Sequence, residues 1–507
     1  MSILNHPNLT VFYGPPGTGK TTSLLRVVEQ EGSRTDPHKI GFVSFTKKAV
    51  REARERAQDK FNLTEDDLPY FRTLHSIAYR ACSVRDENML KQMNYLEFGR
   101  LIGADVQNKI NPEENALGQT RDGDQMLFTD GLSRCRLQPL HATWGEQFNS
   151  TGQVTWPRQK QFSAAWREYK SDRDLWDYTD LLERFKTGKV PKLDVLIVDE
   201  CQDLSTIQWH VVAELAKHAQ RVYLAGDDDQ GIYFWAGANV QEFIHIGGKH
   251  HVLNHSYRLP RLVHRFSTRI LRRIVERHEK PFSARDEDGV LSFDNELSDV
   301  RLADGEWLLL ARNNYLLREL EDQMIHQGYH YTSKRYDPEN DQYVWAVRAW
   351  EGLRNGKKIS KTRVETIYRL LSSGIGVKRG FKNLTAMNPN YTYDMQTLRD
   401  NWGLLTNAIW HQALDRMPID KRQYLLRLLE RGEKLNQPPR IKLSTIHGAK
   451  GGEADNVLLL SDVSYRCWEN QQNRPDDEHR TFYVGATRAR RMLSVVRPST
   501  RCYYDFH

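Results

Sequence analysis

No Cys-x-x-Cys pair occurs among the five cysteines, Cys82, Cys135, Cys201, Cys467 and Cys502. Their scatter argues against a zinc or iron–sulfur site, and the odd count suits a reducing compartment. No run approaches the roughly 18 apolar residues that would span a bilayer. The first eight residues lack a basic region followed by an apolar stretch, so no export signal is read there and a cytoplasmic address is the expectation. Internal repeats and low-complexity tracts are absent too. Charge of one sign is scarce: a formal +7 over 507 residues favours a polyanionic partner only weakly. What is present is 39% hydrophobic and 27% charged residues, a soluble globular profile long enough for two to four domains. The 12 Trp and 22 Tyr are mostly core, but exposed rings of this kind stack on unpaired bases.

The first motif lies near the start of the chain. Leu9–Tyr13 reads as a buried strand and Leu24, Leu25, Val27 and Val28 as one face of a helix. Between them stands Gly14-Pro15-Pro16-Gly17-Thr18-Gly19-Lys20-Thr21, the G-x-x-x-x-G-K-[ST] spacing in its strand–loop–helix context. Glycines let backbone N–H groups curl around a polyphosphate, and the helix N-terminus adds partial positive charge. Lys20 is expected to reach the β- and γ-phosphates and the Thr21 hydroxyl to ligate Mg²⁺, with Thr22 completing the nucleotide-binding segment.

A phosphate loop needs an acidic partner on a neighbouring strand. Leu193–Val198 is such a strand, followed by Asp199 and Glu200. Asp199 is assigned to Mg²⁺ and Glu200 to the attacking water. A third strand, Arg221–Ala225, runs into Gly226-Asp-Asp-Asp-Gln230, where Gln230 is positioned to sense a γ-phosphate. The aromatics Tyr233 and Trp235 follow directly. An Asp-Glu pair is usually a solvated turn and a lone Tyr233 usually core, so each assignment rests on the strand that aims it.

The ordered blocks extend further: Ser44-Phe-Thr-Lys-Lys-Ala49, Phe71-Arg-Thr-Leu-His-Ser76, Asp177-Tyr-Thr-Asp-Leu-Leu182, Leu253-Asn-His-Ser-Tyr-Arg258, Leu443-Ser-Thr-Ile-His-Gly-Ala-Lys-Gly-Gly-Glu453 and Phe482-Tyr-Val-Gly-Ala-Thr-Arg-Ala489. With the two acidic blocks already described, this set resembles the UvrD/Rep branch of superfamily-one helicases. The resemblance implies an α/β fold of two RecA-like parallel-sheet motor domains with mainly helical accessory insertions, and an ATP-dependent DNA helicase moving 3′ to 5′ on single-stranded DNA. It implies ATP and Mg²⁺ as cofactors, single-stranded DNA and single-strand/duplex junctions as partners, and no membrane. Carried over by position, Arg258 and Arg488 reach the γ-phosphate from the second motor domain, Tyr257 stacks on adenine and Glu453 accepts from the ribose. Phe45, Thr46, His75, Tyr233, Trp235, Thr445 and His447 are the implied DNA contacts. The alternatives are a translocase that displaces proteins with little unwinding, and an ATP-gated DNA clamp.

The implied first motor domain comprises 1–80 and 180–255, the second 256–335 and 438–507, with helical insertions at 81–179 and 336–437. Phe162, Trp166 and Tyr169 are spaced as one helix face in the first insertion. In the second, Val344–Trp350 and Arg422–Leu429 read as helices, and Ser373–Arg379 as a Gly-rich turn suited to a duplex backbone. Two positions depart from the family pattern: Thr22 and Ala236 stand where basic residues are common. With 13 residues before Gly14, no Gln segment for the adenine edge is found. Ile270, Leu271, Ile274 and Val275 are expected on one helix face opposite Arg269, Arg272, Arg273 and Arg277, a solvated basic face. His251 and His255 lack a third ligand for a metal.

Overall fold

The computed structural model describes residues 2–44, 47–109, 121–148, 152–302 and 305–506. It divides into two compact units: Met1–Ser292 with Ser461–Leu493 and Pro498–His507, and Phe293–Leu460 with Ser494–Arg497.

The first unit is built on a six-stranded sheet: β1 (Leu9–Tyr13), β2 (Ile40–Val43), β3 (Phe71–Arg72), β4 (Val195–Val198), β5 (Arg221–Gly226) and β6 (Lys249–Val252). The order is β3-β2-β4-β5-β1-β6 and every pairing is parallel. All four residues of β4 are buried, as a central parallel strand covered on both faces requires. Leu196 and Val198 point into one core with Val11, Val222 and Leu224. Val195 and Ile197 point into the other, against Leu24, Leu25, Val27 and Val28 of helix α1 (Lys20–Gly32). This order sets the ends of β4, β5 and β1 side by side, which is where open parallel sheets bind ligands.

Between β3 and β4 the chain forms helices Gln92–Ile102, Asp122–Arg136, Leu140–Phe148 and Trp156–Asp172. Phe98, Phe162, Trp166 and Tyr169 pack together in their core, so the aromatic spacing read from the sequence is a buried helix face. The helix after Arg258 runs only from Arg261 to Leu271. Ile274 is buried beyond its end, but Val275 is 82% exposed, so the expected four-residue apolar face is cut short by the end of the helix. Arg277 likewise leaves the expected solvated face and pairs with Asp229.

The second unit holds a parallel arrangement of strands Ala454–Leu460, Trp307–Ala311, Ile441–Thr445 and Tyr331–Thr332, in that order. The helices Gln342–Arg354 and Ile419–Glu430 contain the two segments read as helical. At Ser373–Val377 the chain makes a tight turn closed by Gly374 N–H donating to the Val377 carbonyl at 2.7 Å. The chain thus contains two parallel-sheet α/β domains and a large helical content, as expected. No described helix is long and apolar enough to cross a membrane.

Candidate functional site

The loop after β1 is shaped by its glycines. Gly17 has φ +74°, and a Cβ there would meet the Arg258 Cβ at 2.3 Å. Only glycine permits that approach. The contact is fixed by two bonds: the Ser256 hydroxyl donates to the Pro16 carbonyl at 2.7 Å, and Tyr257 N–H to the Gly17 carbonyl at 2.9 Å. Gly14, Pro15, Pro16 and Thr18 are buried, and the Thr18 hydroxyl donates to the Pro15 carbonyl at 2.8 Å. Gly19 caps α1 with φ +83°, leaving Lys20, Thr21 and Thr22 on its first turn. Lys20 Nζ folds back to the Gly14 carbonyl at 2.6 Å, so its ammonium lies over the mouth of the loop. Tyr257 is 72% exposed next to this loop, its ring nearly perpendicular to that of His255 at 4.9 Å.

Gly14 N–H donates to the Gly226 carbonyl at 3.0 Å, fastening the loop to the tip of β5. At the tip of β4, Asp199 is buried. Burial and the adjacent Glu200 carboxylate push the Asp199 carboxyl up to about 7, while the Lys20 ammonium pulls it down. The oxygen donors of Asp199 and Thr21 match a hard divalent cation, and its charge would restore the carboxylate form that burial opposes. Glu200 adopts φ +55°, a strained left-handed conformation for a non-glycine residue. Gln202 donates from Nε2 to the Glu200 carboxylate at 2.5 Å and accepts at Oε1 from Asp227 N–H at 3.0 Å.

The network continues past β5. Gln230 Nε2 donates to Asp227 Oδ2 at 2.6 Å, and Arg488 Nη2 donates to Gln230 Oε1 at 2.8 Å. Arg488 is itself buried and its Nε donates to the Val484 carbonyl. Glu200, Gln202, Asp227, Gln230 and Arg488 therefore form one continuous chain. Arg258 and Arg488 both fall in the same compact unit as the phosphate loop.

Several residues of this cluster carry no motif signal. Lys280 is fully buried against Asp227 at 3.2 Å and Asp228 at 2.7 Å, and also pairs with Asp229. Arg277 grips Asp229 with two bonds of 2.9 and 2.8 Å, and Arg480 donates to the Asp228 carbonyl. Three consecutive aspartates at a buried strand tip demand compensating cations. That demand is readable from the sequence, but which Lys or Arg meets it is not.

Of the aromatic and polar positions, Tyr233 and Trp235 are half-buried with ring centroids 5.8 Å apart. Trp235 lines a cavity of about 290 Å³ with Phe128, Arg136, Arg466 and Arg474. His75 meets the exposed Tyr178 ring edge-on at 5.7 Å, and burial lowers its pKa. Phe45 and Thr46 lie outside the described residues. In the second unit, Thr445 ends its strand and accepts from Gly448 N–H at 3.0 Å, His447 is buried, and Glu453 is exposed ahead of strand Ala454–Leu460. His251 stacks on Phe12, and among the described residues no cluster of His, Cys, Asp and Glu suits a metal.

Residues 3–251 match the UvrD/REP helicase N-terminal domain, and residues 441–496 the UvrD-like helicase C-terminal domain. The chain belongs to the UvrD/REP helicase family. DNA helicase II of Escherichia coli is 28% identical over 261 residues, covering 47% of this chain and 34% of that protein. The ATP-dependent DNA helicase PcrA of Bacillus subtilis is 23% identical over 363 residues, covering 63% of this chain and 48% of its own length. The ATP-dependent DNA helicase Rep of Buchnera aphidicola is 25% identical over 244 residues, or 44% and 36% of the two chains. The chain thus spans between a third and a half of these relatives. Both matched family segments carry residues of the candidate site: the first from Gly14 to Gln230, the second from Thr445 to Arg488.

Proposed function

We propose that this UvrD/REP family protein is an ATP-dependent DNA helicase that translocates 3′ to 5′ on single-stranded DNA and couples hydrolysis to duplex unwinding. The observation that carries the reading is the continuous bonding from Glu200 through Gln202, Asp227 and Gln230 to Arg488, beside the phosphate loop. Lys20 supplies the charge that meets the β- and γ-phosphates, and Tyr257 and Glu453 hold the nucleoside. Bound at Thr21 and Asp199, Mg²⁺ supplies electrostatic stabilisation of the phosphates. Glu200, oriented by Gln202, accepts the proton of the attacking water. Gln230 senses the γ-phosphate, and Arg258 and Arg488 neutralise the charge that grows on it, an effect of about 10³–10⁵ in rate in comparable enzymes.

The strand is held by Phe45, Thr46, His75, Tyr233, Trp235, Thr445 and His447, where ring stacking contributes about 1–3 kcal/mol per base without reading sequence. In this reading 1–80 with 180–255 and 256–335 with 438–507 are the motor domains, and 81–179 and 336–437 are accessory insertions.

The test is ATP hydrolysis by the purified protein with and without single-stranded DNA, followed by unwinding of a forked duplex with a 3′ tail. Strong stimulation and strand separation are expected. Glu200→Gln should keep nucleotide binding while hydrolysis falls by about 10² or more. Brisk hydrolysis by this variant removes Glu200 from its role; absent stimulation of the wild type removes DNA as the track.

A further inference from the structure

The helix Arg261–Leu271 buries Val263, Phe266, Ile270 and Leu271 and turns Arg265, Arg269 and, at its cap, Arg272 to solvent. These three sit at i, i+4 and i+7, within about 60° of arc and with rises of about 6 and 4.5 Å between them. They line a shallow cavity of about 550 Å³ that contains no carboxylate. Among the described residues none of the three has a carboxylate partner. Arg261, one turn earlier, differs: it is taken up by Asp286 at 3.5 Å and Asp288 at 3.2 Å, which closes the row at that end.

Unpaired exposed arginines are commonly just solvated. Here three lie in one row, spaced like successive charges on a polyanion and bounded by a neutralised neighbour. The row also hangs from the site: only Leu259 and Pro260 separate Arg258 from the helix, and Ser256 and Tyr257 are bonded to the phosphate loop. Any movement of that turn would carry the row with it.

We propose that Arg265, Arg269 and Arg272 form an additional, sequence-blind contact for the phosphodiester backbone of DNA, outside the motif residues and mechanically joined to the nucleotide loop. The proposal rests on the DNA reading above. Guanidinium groups suit it, since each presents a fork of donors matching phosphate oxygens.

The test compares two triple variants of the full chain, Arg265→Gln/Arg269→Gln/Arg272→Gln and Lys186→Gln/Lys189→Gln/Lys192→Gln. The second removes the same formal charge from exposed lysines elsewhere on the first unit. Binding to a single-stranded oligonucleotide and to a tailed duplex is measured across salt concentrations, with and without a non-hydrolysable ATP analogue. Each lost phosphate contact flattens the log–log salt dependence by about 0.7 on a single strand, so the arginine variant should be shallower by about 2. DNA-independent ATPase should be unchanged in both variants. The proposal is overturned if the arginine variant keeps the wild-type slope, or if the lysine variant flattens it equally. It is also overturned if the variant binds DNA normally and the row instead serves an acidic protein. A wild type without DNA binding defeats the parent reading instead, so the two failures are distinguishable. Flattening on the tailed duplex alone assigns the row to the duplex arm, and flattening on both assigns it to the translocating strand.

Discussion

The tips of β1 and β5 are bonded neighbours, Gly14 to Gly226, yet they are held in opposite ways. The loop after β1 is held by backbone: positive-φ glycines, carbonyls accepting from Thr18 and Ser256, and a lysine folded onto its own loop. The turn after β5 is held by charge, with three aspartates compensated by Lys280 and Arg277, and Arg480 adds a hydrogen bond to the Asp228 carbonyl. A loop that must wrap a polyphosphate keeps its amides available and its side chains small. A turn that, in the proposed reading, senses the γ-phosphate gains instead from stiff, directional side-chain bonds. The two tips should therefore respond differently to mutation, and stability separates them.

The largest effect is expected at Lys280. Lys280→Ala leaves a buried aspartate cluster short of its central cation, which should cost about 4 kcal/mol in chemical denaturation. Removal of a buried partner is expensive because the remaining charge stays desolvated. A loss below about 1 kcal/mol would mean that Arg277 alone compensates the cluster, and the contrast between the tips would weaken.

This contrast also explains what was legible in the sequence. The loop after β1 is written contiguously, so its strand–loop–helix form could be read from the Gly14 to Thr22 spacing and from the apolar periods of β1 and α1. β4 and its Asp199-Glu200 pair were visible because a buried parallel strand is a continuous apolar run. Lys280, Arg277 and Ser256 were not, because their partners lie far away in sequence and a surface lysine looks the same as a buried one. The helix end at Leu271 was missed because the apolar spacing continues to Ile274 and Val275 while the helix does not. Ile274 is buried all the same, beyond the end of the helix.

An intermediate effect is expected at the far end of α1, where the two tips share a support. Glu31 is fully buried and receives hydrogen bonds from Arg34, from Tyr223 at 2.6 Å and from Arg221 at 3.1 Å, the last two on β5. Burial alone would raise its pKa, but these donors outweigh it and hold the carboxyl at about 2. In the unfolded chain a glutamate titrates at about 4.3. A depressed folded value means the stabilisation is complete above that pH and is lost as pH falls towards about 2. Glu31→Gln should cost about 2 kcal/mol at neutral pH. The gap to wild type should close between about pH 5 and about pH 2. A gap constant over that window would show that the carboxylate charge contributes nothing to joining α1 to β5.

The smallest effect on stability, at the other tip, is expected to carry a large effect on turnover. Gly17→Ala places a Cβ 2.3 Å from the Arg258 Cβ at a φ of +74°. The left-handed conformation costs an alanine about 1 kcal/mol, and the clash can be relieved only by moving the loop or the Ser256–Arg258 turn. Either movement shifts Lys20 or Arg258 relative to the phosphates. Misplacement of about 1 Å can cost about 10² in rate. Gly17→Ala should thus lose only about 1 kcal/mol of stability while ATP turnover falls about a hundredfold. The opposite pattern, a large stability loss with turnover intact in the folded fraction, would mean that the loop, like the β5 turn, owes its shape to packing rather than to the freedom of its backbone.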